Sequence, residues 1–416
     1  MSEFQFLDGQ LHAEDVPASK IAEEYGTPTF IYSKAAIVTA YENFQAAFSE
    51  HDHQICYAVK ANSNLGILSL LASMGSGFDI VSGGELKRVI EAGGDAEKVV
   101  FSGAGKLAWE IELALEQGIS CFNLESDSEL NLVNKIALKL GKVAAISVRV
   151  NPDVDAKTHP YTATGLKENK FGVSSRDAVT IYQRAQQLPN VEIKGIDCHI
   201  GSQITEISPL VDSLVLLLEL VDELEAIGIS LSHIDLGGGI GIKYQDEEPI
   251  DIDLYASAIQ QTLGNRSLKL FFEPGRYIIG NAGILLSRIV TIKQNENKKF
   301  AVVDAAMNDL IRPALYQSWQ RIENIKQSSA PRDSYDVVGP ICESADFLGK
   351  NRELSLCEGD LIAVFSSGAY GFAMSSNYNS RNRAAELLVS GKSIHCIRQR
   401  ESFADQIRLE SIPGND

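Results

Sequence analysis

Lys60 closes an apolar run, Tyr57-Ala58-Val59-Lys60, in a chain of 416 residues. A lysine amine attacks a carbonyl only when unprotonated, and a recessed site lowers its pKa and frees it. A lone lysine at a strand end is ordinarily a solvated surface charge, so its companions decide. In Ile234-Asp235-Leu236-Gly237-Gly238-Gly239-Ile240-Gly241, glycines let backbone amides approach a phosphate closely, though they serve a tight turn equally well. The spacing is not that of a dinucleotide site, because residue 242 is Ile. Glu273-Pro274-Gly275-Arg276 offers a carboxylate that can keep a heterocyclic nitrogen protonated, as a pyridine cofactor acting as electron sink requires. It also offers an amide for a phosphate and a guanidinium that can clamp a carboxylate; as a bare tetrapeptide it reads rather as an ordinary surface ion pair. Cys198-His199-Ile200-Gly201-Ser202 supplies a flat ring that can stack on an aromatic cofactor and a hydroxyl for phosphate, although a single histidine is more often structural. Cys342-Glu343 sets a thiol, a credible proton donor near neutral pH, beside a carboxylate; an inert buried cysteine is the ordinary alternative. Gly368-Ala369-Tyr370-Gly371 places a tyrosine in a tight loop. Seven histidines with no HxxxH pair, and six cysteines with no CxxC pair, lead us to expect no metal site.

Short apolar runs alternate with helical patterns from about residue 54 to 276. The runs centre on Tyr57, Asp79, Phe101, Asn123, Arg149, Cys198, Asp235 and Glu273, and helical stretches such as Ala108–Gln117 and Asp127–Leu140 lie between them. Alternating βα units imply a parallel sheet, and eight of them imply a closed (β/α)₈ barrel. Lys60, Asp79, Ser82, Arg149, His199, Ser202, Glu273 and Arg276 fall at the C-terminal ends of these runs, which converge on one rim in such a barrel. After Arg276 strands follow one another with few helices, which reads as a mainly antiparallel β-sandwich or barrel domain; Phe4–Leu11 and Thr29–Tyr32 also look like strands and are expected to join it. The expected organisation is a barrel over 37–280 and a β-domain from 1–36 and 281–416. The connection Asn151–Gly172 is long for a βα loop, which raises its functional interest.

The formal net charge of −18 disfavours nucleic acid and anionic membrane surfaces as partners. It does not exclude an anionic substrate, since a pocket can supply local arginines. The scattered cysteines read as reduced thiols of a cytoplasmic protein. The first ten residues lack a basic segment followed by an apolar run, so no signal peptide is expected. The most apolar helical stretch, Leu210–Leu224, is too short and too polar to span a bilayer.

Together these motifs resemble the alanine-racemase-like barrel decarboxylases that use pyridoxal 5'-phosphate, from Gly26-Thr27-Pro28 to Ala385-Glu386. Two stretches are specific: His159-Pro160-Tyr161 with Thr164-Gly165 and Asn169-Lys170-Phe171-Gly172, and Met307-Asn308-Asp309-Leu310-Ile311-Arg312-Pro313-Ala314-Leu315-Tyr316. They look like the branch acting on meso-2,6-diaminopimelate, which implies its decarboxylation to L-lysine. The resemblance implies that Lys60 carries the cofactor as a Schiff base and that His199 stacks on its ring. Ser202, Gly238, Gly239, Gly241 and Gly275 hold the phosphate, Pro274 also belongs to the cofactor site, and Glu273 faces the ring nitrogen. Arg276, Arg312 and Tyr316 bind substrate carboxylates, and Tyr370 lies near cofactor and substrate. Cys342, as proton donor, and Glu343, on the distal ammonium, reach the active site of the other subunit of a homodimer. Gln317-Ser318-Trp319-Gln320 and Arg381-Asn382-Arg383-Ala384-Ala385-Glu386 depart from the family pattern, which puts loop packing and substrate fit in question. The rival readings are a same-fold decarboxylase of ornithine, arginine or carboxynorspermidine, a cofactor-free lysine aldolase barrel, and an inactive homologue that binds a partner.

Overall fold

The chain opens with strands β1 (Phe4–Leu7), β2 (Gln10–Ala13), β3 (Val16–Pro17) and β4 (Thr29–Ser33). Eight more follow in alternation with helices: β5 (His53–Ala58), β6 (Gly77–Ile80), β7 (Val99–Phe101), β8 (Cys121–Leu124), β9 (Ala144–Arg149), β10 (Val191–Asp197), β11 (His233–Asp235) and β12 (Lys269–Phe272). The remainder is β13 (Gly283–Asn295), β14 (Lys298–Val303), β15 (Ile322–Asn324), β16 (Asp333–Val338), β17 (Phe347–Leu354), β18 (Leu361–Val364), β19 (Ala385–Ser390) and β20 (Ser393–Arg398). The structure is a computed structural model that describes residues 4–154 and 170–413. The chain divides into two compact units: Ala40–Lys243 with Glu247–Tyr277, and the residues up to Thr39 with Tyr244–Asp246 and those from Ile278 on. The segment carrying His159-Pro160-Tyr161, Thr164-Gly165 and Asn169 lies outside the described residues.

In the first unit β5 to β12 form a closed barrel, every neighbouring pair parallel, with β12 hydrogen-bonded to β5. The eight apolar runs are thus the eight barrel strands. They are apolar on both faces because the barrel has an inside and a helical coat: Cys56, Val100, Cys121 and Phe271 form one buried cluster, while Phe272 packs on Phe48 with ring centroids 4.2 Å apart. Local signals start and stop the helices. Ser82 and Ser126 accept the amides of Glu85 and Glu129, capping Gly83–Glu91 and Asp127–Leu140. Gly118 and Gly141, both left-handed, end Ala108–Gln117 and Asp127–Leu140.

One glycine inside a strand answers to a close approach. A Cβ on Gly195 of β10 would lie 2.1 Å from His233 Nε2 and 2.3 Å from its Cδ2. His233 cannot swing aside, because its buried ring is stacked on Phe271 at 4.4 Å. Gly195→Ala is therefore expected to cost about 1–3 kcal/mol by overpacking, read as a lower urea midpoint with an unchanged m-value.

In the second unit β4 and β13 to β20 form a nine-stranded sheet running β17-β16-β14-β13-β4-β19-β20, with β18 on β13 and β15 on β18. Pairing is mainly antiparallel, but β14–β16 and β4–β19 are parallel. Phe4–Leu11 is not the single strand expected. Asp8 and Gly9 both take positive φ, 48° and 74°, and fold β1 back on β2; an Asp-Gly pair is the turn such a two-residue hairpin prefers. With β3 these strands make a separate three-stranded sheet, so of the two N-terminal segments only Thr29–Ser33 enters the large sheet.

Candidate active site

Lys60 does not end a strand but sits two residues beyond β5, in the 3₁₀ turn Val59–Ala61. Its Nζ donates to Asp79 Oδ2 at 2.8 Å, and Asp79 is fully buried on β6. A buried carboxylate so close fixes where the amine points and opposes its straying into solvent.

The His199, glycine-loop and Glu273 motifs are joined into one structure beside it. Gly238 N donates to His199 Nδ1 at 3.1 Å, so the ring accepts there and carries its proton on Nε2. Burial, then the charges of Arg149 and Lys60, holds its pKa well below the usual histidine value, and the ring is neutral. Ile204 N donates to Gly239 O and Gly241 N to Ile204 O, both at 2.8 Å. Gln203 clamps Ile242 twice, through Nε2 to its carbonyl at 2.6 Å and by accepting its amide at 3.1 Å. Glu273 N donates to Gly237 O at 2.7 Å, and Gly237 N to Asp235 Oδ1 at 2.9 Å. The glycines are needed for these approaches: a Cβ on Gly238 would lie 2.2 Å from Glu273 O, and one on Gly239 2.3 Å from Gly201 O. Arg276 Nη2 donates to Ser202 Oγ at 2.9 Å, and a Cβ on Gly275 would lie 2.9 Å from that of Ala61, in the Lys60 turn. The structure thus brings Lys60, His199, Ser202, Gly238, Gly239, Gly241, Glu273, Pro274, Gly275 and Arg276 to one rim of the barrel.

That rim is rich in acid. Asp79, Glu125, Asp197, Asp235 and Glu273 are all buried, against the cations Lys60, Arg149 and Arg276. Arg149 Nη1 donates to Glu125 Oε1 at 3.0 Å, and its Nε stands 3.9 Å from Asp197 Oδ2. Burial opposes its charge, but Glu125, Asp197 and Glu273 outweigh that and raise its pKa. One oxygen each of Asp197, Asp235 and Glu273 lies within 4.8 Å of the others. Burial, then the charges of Asp235, Asp79 and Asp197, pushes the Glu273 carboxyl well above the usual carboxylate range. Its Oε1 accepts from Ser102 Oγ at 3.1 Å, which in turn accepts from Asn123 Nδ2 at 3.1 Å. The arrangement can hold an anion, present a lysine amine to a carbonyl and offer carboxylate charge to a buried cation.

Ser102, Asn123 and Gln203 were not assigned roles from the sequence. Ser102 and Gln203 look like ordinary loop residues there; the one available signal was that Asn123 interrupts an otherwise apolar strand. His51 and His53, which do share an HxH spacing, each bond a backbone carbonyl at 2.9 Å, Leu268 O and His51 O.

The remaining candidates belong to the β-unit. Arg312 is buried, its guanidinium over the rings of Tyr244 and Tyr316 at 5.4 and 5.5 Å. Cys342 is exposed, its amide donating to Asn379 Oδ1 at 2.9 Å. Glu343 Oε1 accepts from Tyr378 OH at 2.5 Å. Tyr370 takes a φ of +55°. Asp346, which the sequence reading passed over, ties the Arg312 segment to the Cys342 loop by accepting Met307 N and Ile341 N, each at 2.7 Å.

The fold and the rim chemistry are those of a barrel-type pyridoxal-dependent decarboxylase. The family described as "Pyridoxal-dependent decarboxylase, pyridoxal binding domain" matches residues 34–280. The chain is 55% identical to the diaminopimelate decarboxylase of Pseudomonas fluorescens over 413 residues, 99% of each chain. Among solved structures, diaminopimelate decarboxylase from Helicobacter pylori complexed with L-lysine is 43% identical, with a TM-score of 0.92 over 94% of this chain and 99% of that one. The enzyme from M. jannaschii in co-complex with L-lysine is 38% identical, with a TM-score of 0.94 over 99% and 98%. The chain belongs to the diaminopimelate decarboxylase family of pyridoxal-dependent decarboxylases.

Proposed function

We propose that this protein decarboxylates meso-2,6-diaminopimelate to L-lysine and CO₂, the last step of lysine biosynthesis, with pyridoxal phosphate held covalently at Lys60. The observation that carries the proposal is the convergence of the Lys60 amine, the glycine cradle and the buried Glu273 carboxyl on one barrel rim. The residues fit the cofactor on three counts. The fused turns and the Ser202–Arg276 pair suit a phosphate. The neutral His199 ring suits a stacking face. The excess of buried acid around Glu273 suits a protonated pyridine nitrogen, whose positive charge would relieve it.

Bound there, pyridoxal phosphate supplies an electron sink for the pair left when CO₂ departs. Lys60 Nζ would hold the cofactor through its aldehyde carbon, and Asp79, which accepts from that amine at 2.8 Å, would keep it in place when it is free. Glu273 would face the ring nitrogen and favour its protonated form. Arg276, Arg312 and Tyr316 take the substrate carboxylates, and Tyr370 lies near cofactor and substrate. A second copy of the chain completes the site: its Cys342 Sγ returns a proton to the α-carbon, and its Glu343 receives the distal ammonium. The exposure of Cys342 supports that role. All six cysteines are free thiols, which supports a cytoplasmic location; no helix among the described residues is long and apolar enough to cross a membrane.

The test is CO₂ release and lysine formation from meso-diaminopimelate with added pyridoxal phosphate, with ornithine and arginine in parallel. The expected preference in kcat/KM is at least about 10²-fold, since both rivals leave the groups meant for a second carboxylate unpaired. Release from ornithine but not from diaminopimelate would sink the assignment.

A further inference from the structure

Outside the barrel, the β-unit gathers arginines in a way the reaction does not use. Arg383, Arg398, Arg400 and Arg408 line one cavity of about 490 Å³, where the β19–β20 hairpin meets the turn that follows it. In a chain of net charge −18, four like charges round one space repel unless something negative sits among them. The fold also holds them there. Arg383 and Arg398 both lie against the ring of Phe372, at 4.2 and 4.7 Å. Arg383 donates through Nε to Ser375 Oγ at 2.7 Å and through Nη2 to Phe372 O at 3.1 Å. Arg400 is anchored on neutral acceptors, Thr29 Oγ1 at 2.8 Å and Tyr25 O at 3.2 Å.

The nearby acids are already engaged. Glu386, itself buried, takes Arg398 Nε at 3.1 Å and Tyr32 OH at 2.7 Å. Asp405 Oδ2 accepts Ser402 N at 2.8 Å and Ser402 Oγ at 2.6 Å. Glu401 Oε2 accepts Arg383 N at 3.0 Å and also bonds Asn377 Nδ2. The lining itself carries these four arginines against two acids, Glu401 and Asp405, while Glu386 behind it offsets Arg398. Burial depresses the Arg400 pKa, outweighing the opposing charges of Asp304 and Asp309, two acids outside the lining that already accept Ser287 Oγ and Ala306 N.

We propose that this cavity is a binding site for a small polyanion, a phosphate or a compact polycarboxylate, separate from the cofactor cradle of the barrel. Its volume is that of a small-ligand site, and guanidinium forks match both oxyanion types with paired hydrogen bonds.

The test is calorimetric titration of the holoenzyme with inorganic phosphate and, separately, citrate, against a chloride background of matched ionic strength. One saturable site per chain is expected for at least one of them, and which one identifies the class. Arg408→Gln, at an exposed position with little folding risk, should weaken that binding about tenfold or more, the loss of one charge-assisted hydrogen bond. Glu401→Gln keeps an acceptor for Arg383 N while removing a negative charge, and should tighten binding, a gain that misfolding cannot imitate. No saturable site for either anion, or a site that both variants leave unchanged, overturns the proposal.

Discussion

Lys60→Ala is expected to yield a folded protein that no longer retains pyridoxal phosphate covalently and turns over about 10³-fold more slowly or worse. The reason is geometric before it is chemical. The structure gives the barrel rim this amine beside a fully buried carboxylate, Asp79, at 2.8 Å, and removing it takes away the nucleophile proposed to meet the aldehyde. The magnitude lies within the range usual for a positioned catalytic group. Two measurements check it: visible absorbance after desalting with pyridoxal phosphate, and mass after borohydride reduction, which in wild type should show one cofactor per chain on the peptide carrying Lys60. Because the Lys60 side chain is about one-third exposed, the fold should tolerate the change. Full activity in the variant would refute the role of Lys60, and so would a borohydride-fixed cofactor on another lysine.

The position of Lys60 was legible because barrel strands announce themselves: a buried parallel strand is apolar on both faces, and a polar residue just past it stands out. The same contrast exposed Glu273, His199 and Arg276. What escaped were residues whose work is pairing across the chain. Gln203 clamps Ile242, and Asp346 accepts the amide of Met307, 39 residues away; each looks like an ordinary loop residue because its partner is distant in sequence. Gly195 read as one more strand residue, since the His233 ring that fills its place comes from the next strand. The parallel β4–β19 pair joins the two ends of the chain, and local apolar pattern carries no information about such long-range pairing. Asp8-Gly9, by contrast, was a local signal passed over: a type of turn that sequence alone can identify.

Glu273→Gln is expected to separate stability from function. The substitution keeps shape and leaves an oxygen to accept from Ser102 Oγ, but it removes the ionisable group. In the protein without cofactor, burial and the neighbouring Asp235, Asp79 and Asp197 raise the Glu273 pKa above its unfolded value. The folded state then binds more protons than the unfolded one in the interval between the two, so stability falls as pH rises through it. Gln cannot contribute to that fall, so the cofactor-free variant should be more stable than wild type at pH 7, with a flatter dependence of the urea midpoint on pH above about 4.5, the ordinary carboxyl value. With cofactor the order should reverse. The variant would lack the negative charge proposed to stand opposite the ring nitrogen, and kcat should drop about 10²–10³-fold, the usual cost of removing one preorganised electrostatic partner. KM should change far less, because in the proposed function Glu273 would face the ring rather than the substrate carboxylates. A variant less stable than wild type without cofactor would mean that Glu273 is a satisfied structural acid. One that kept full kcat would mean that the crowding of carboxyls at this rim serves the fold alone.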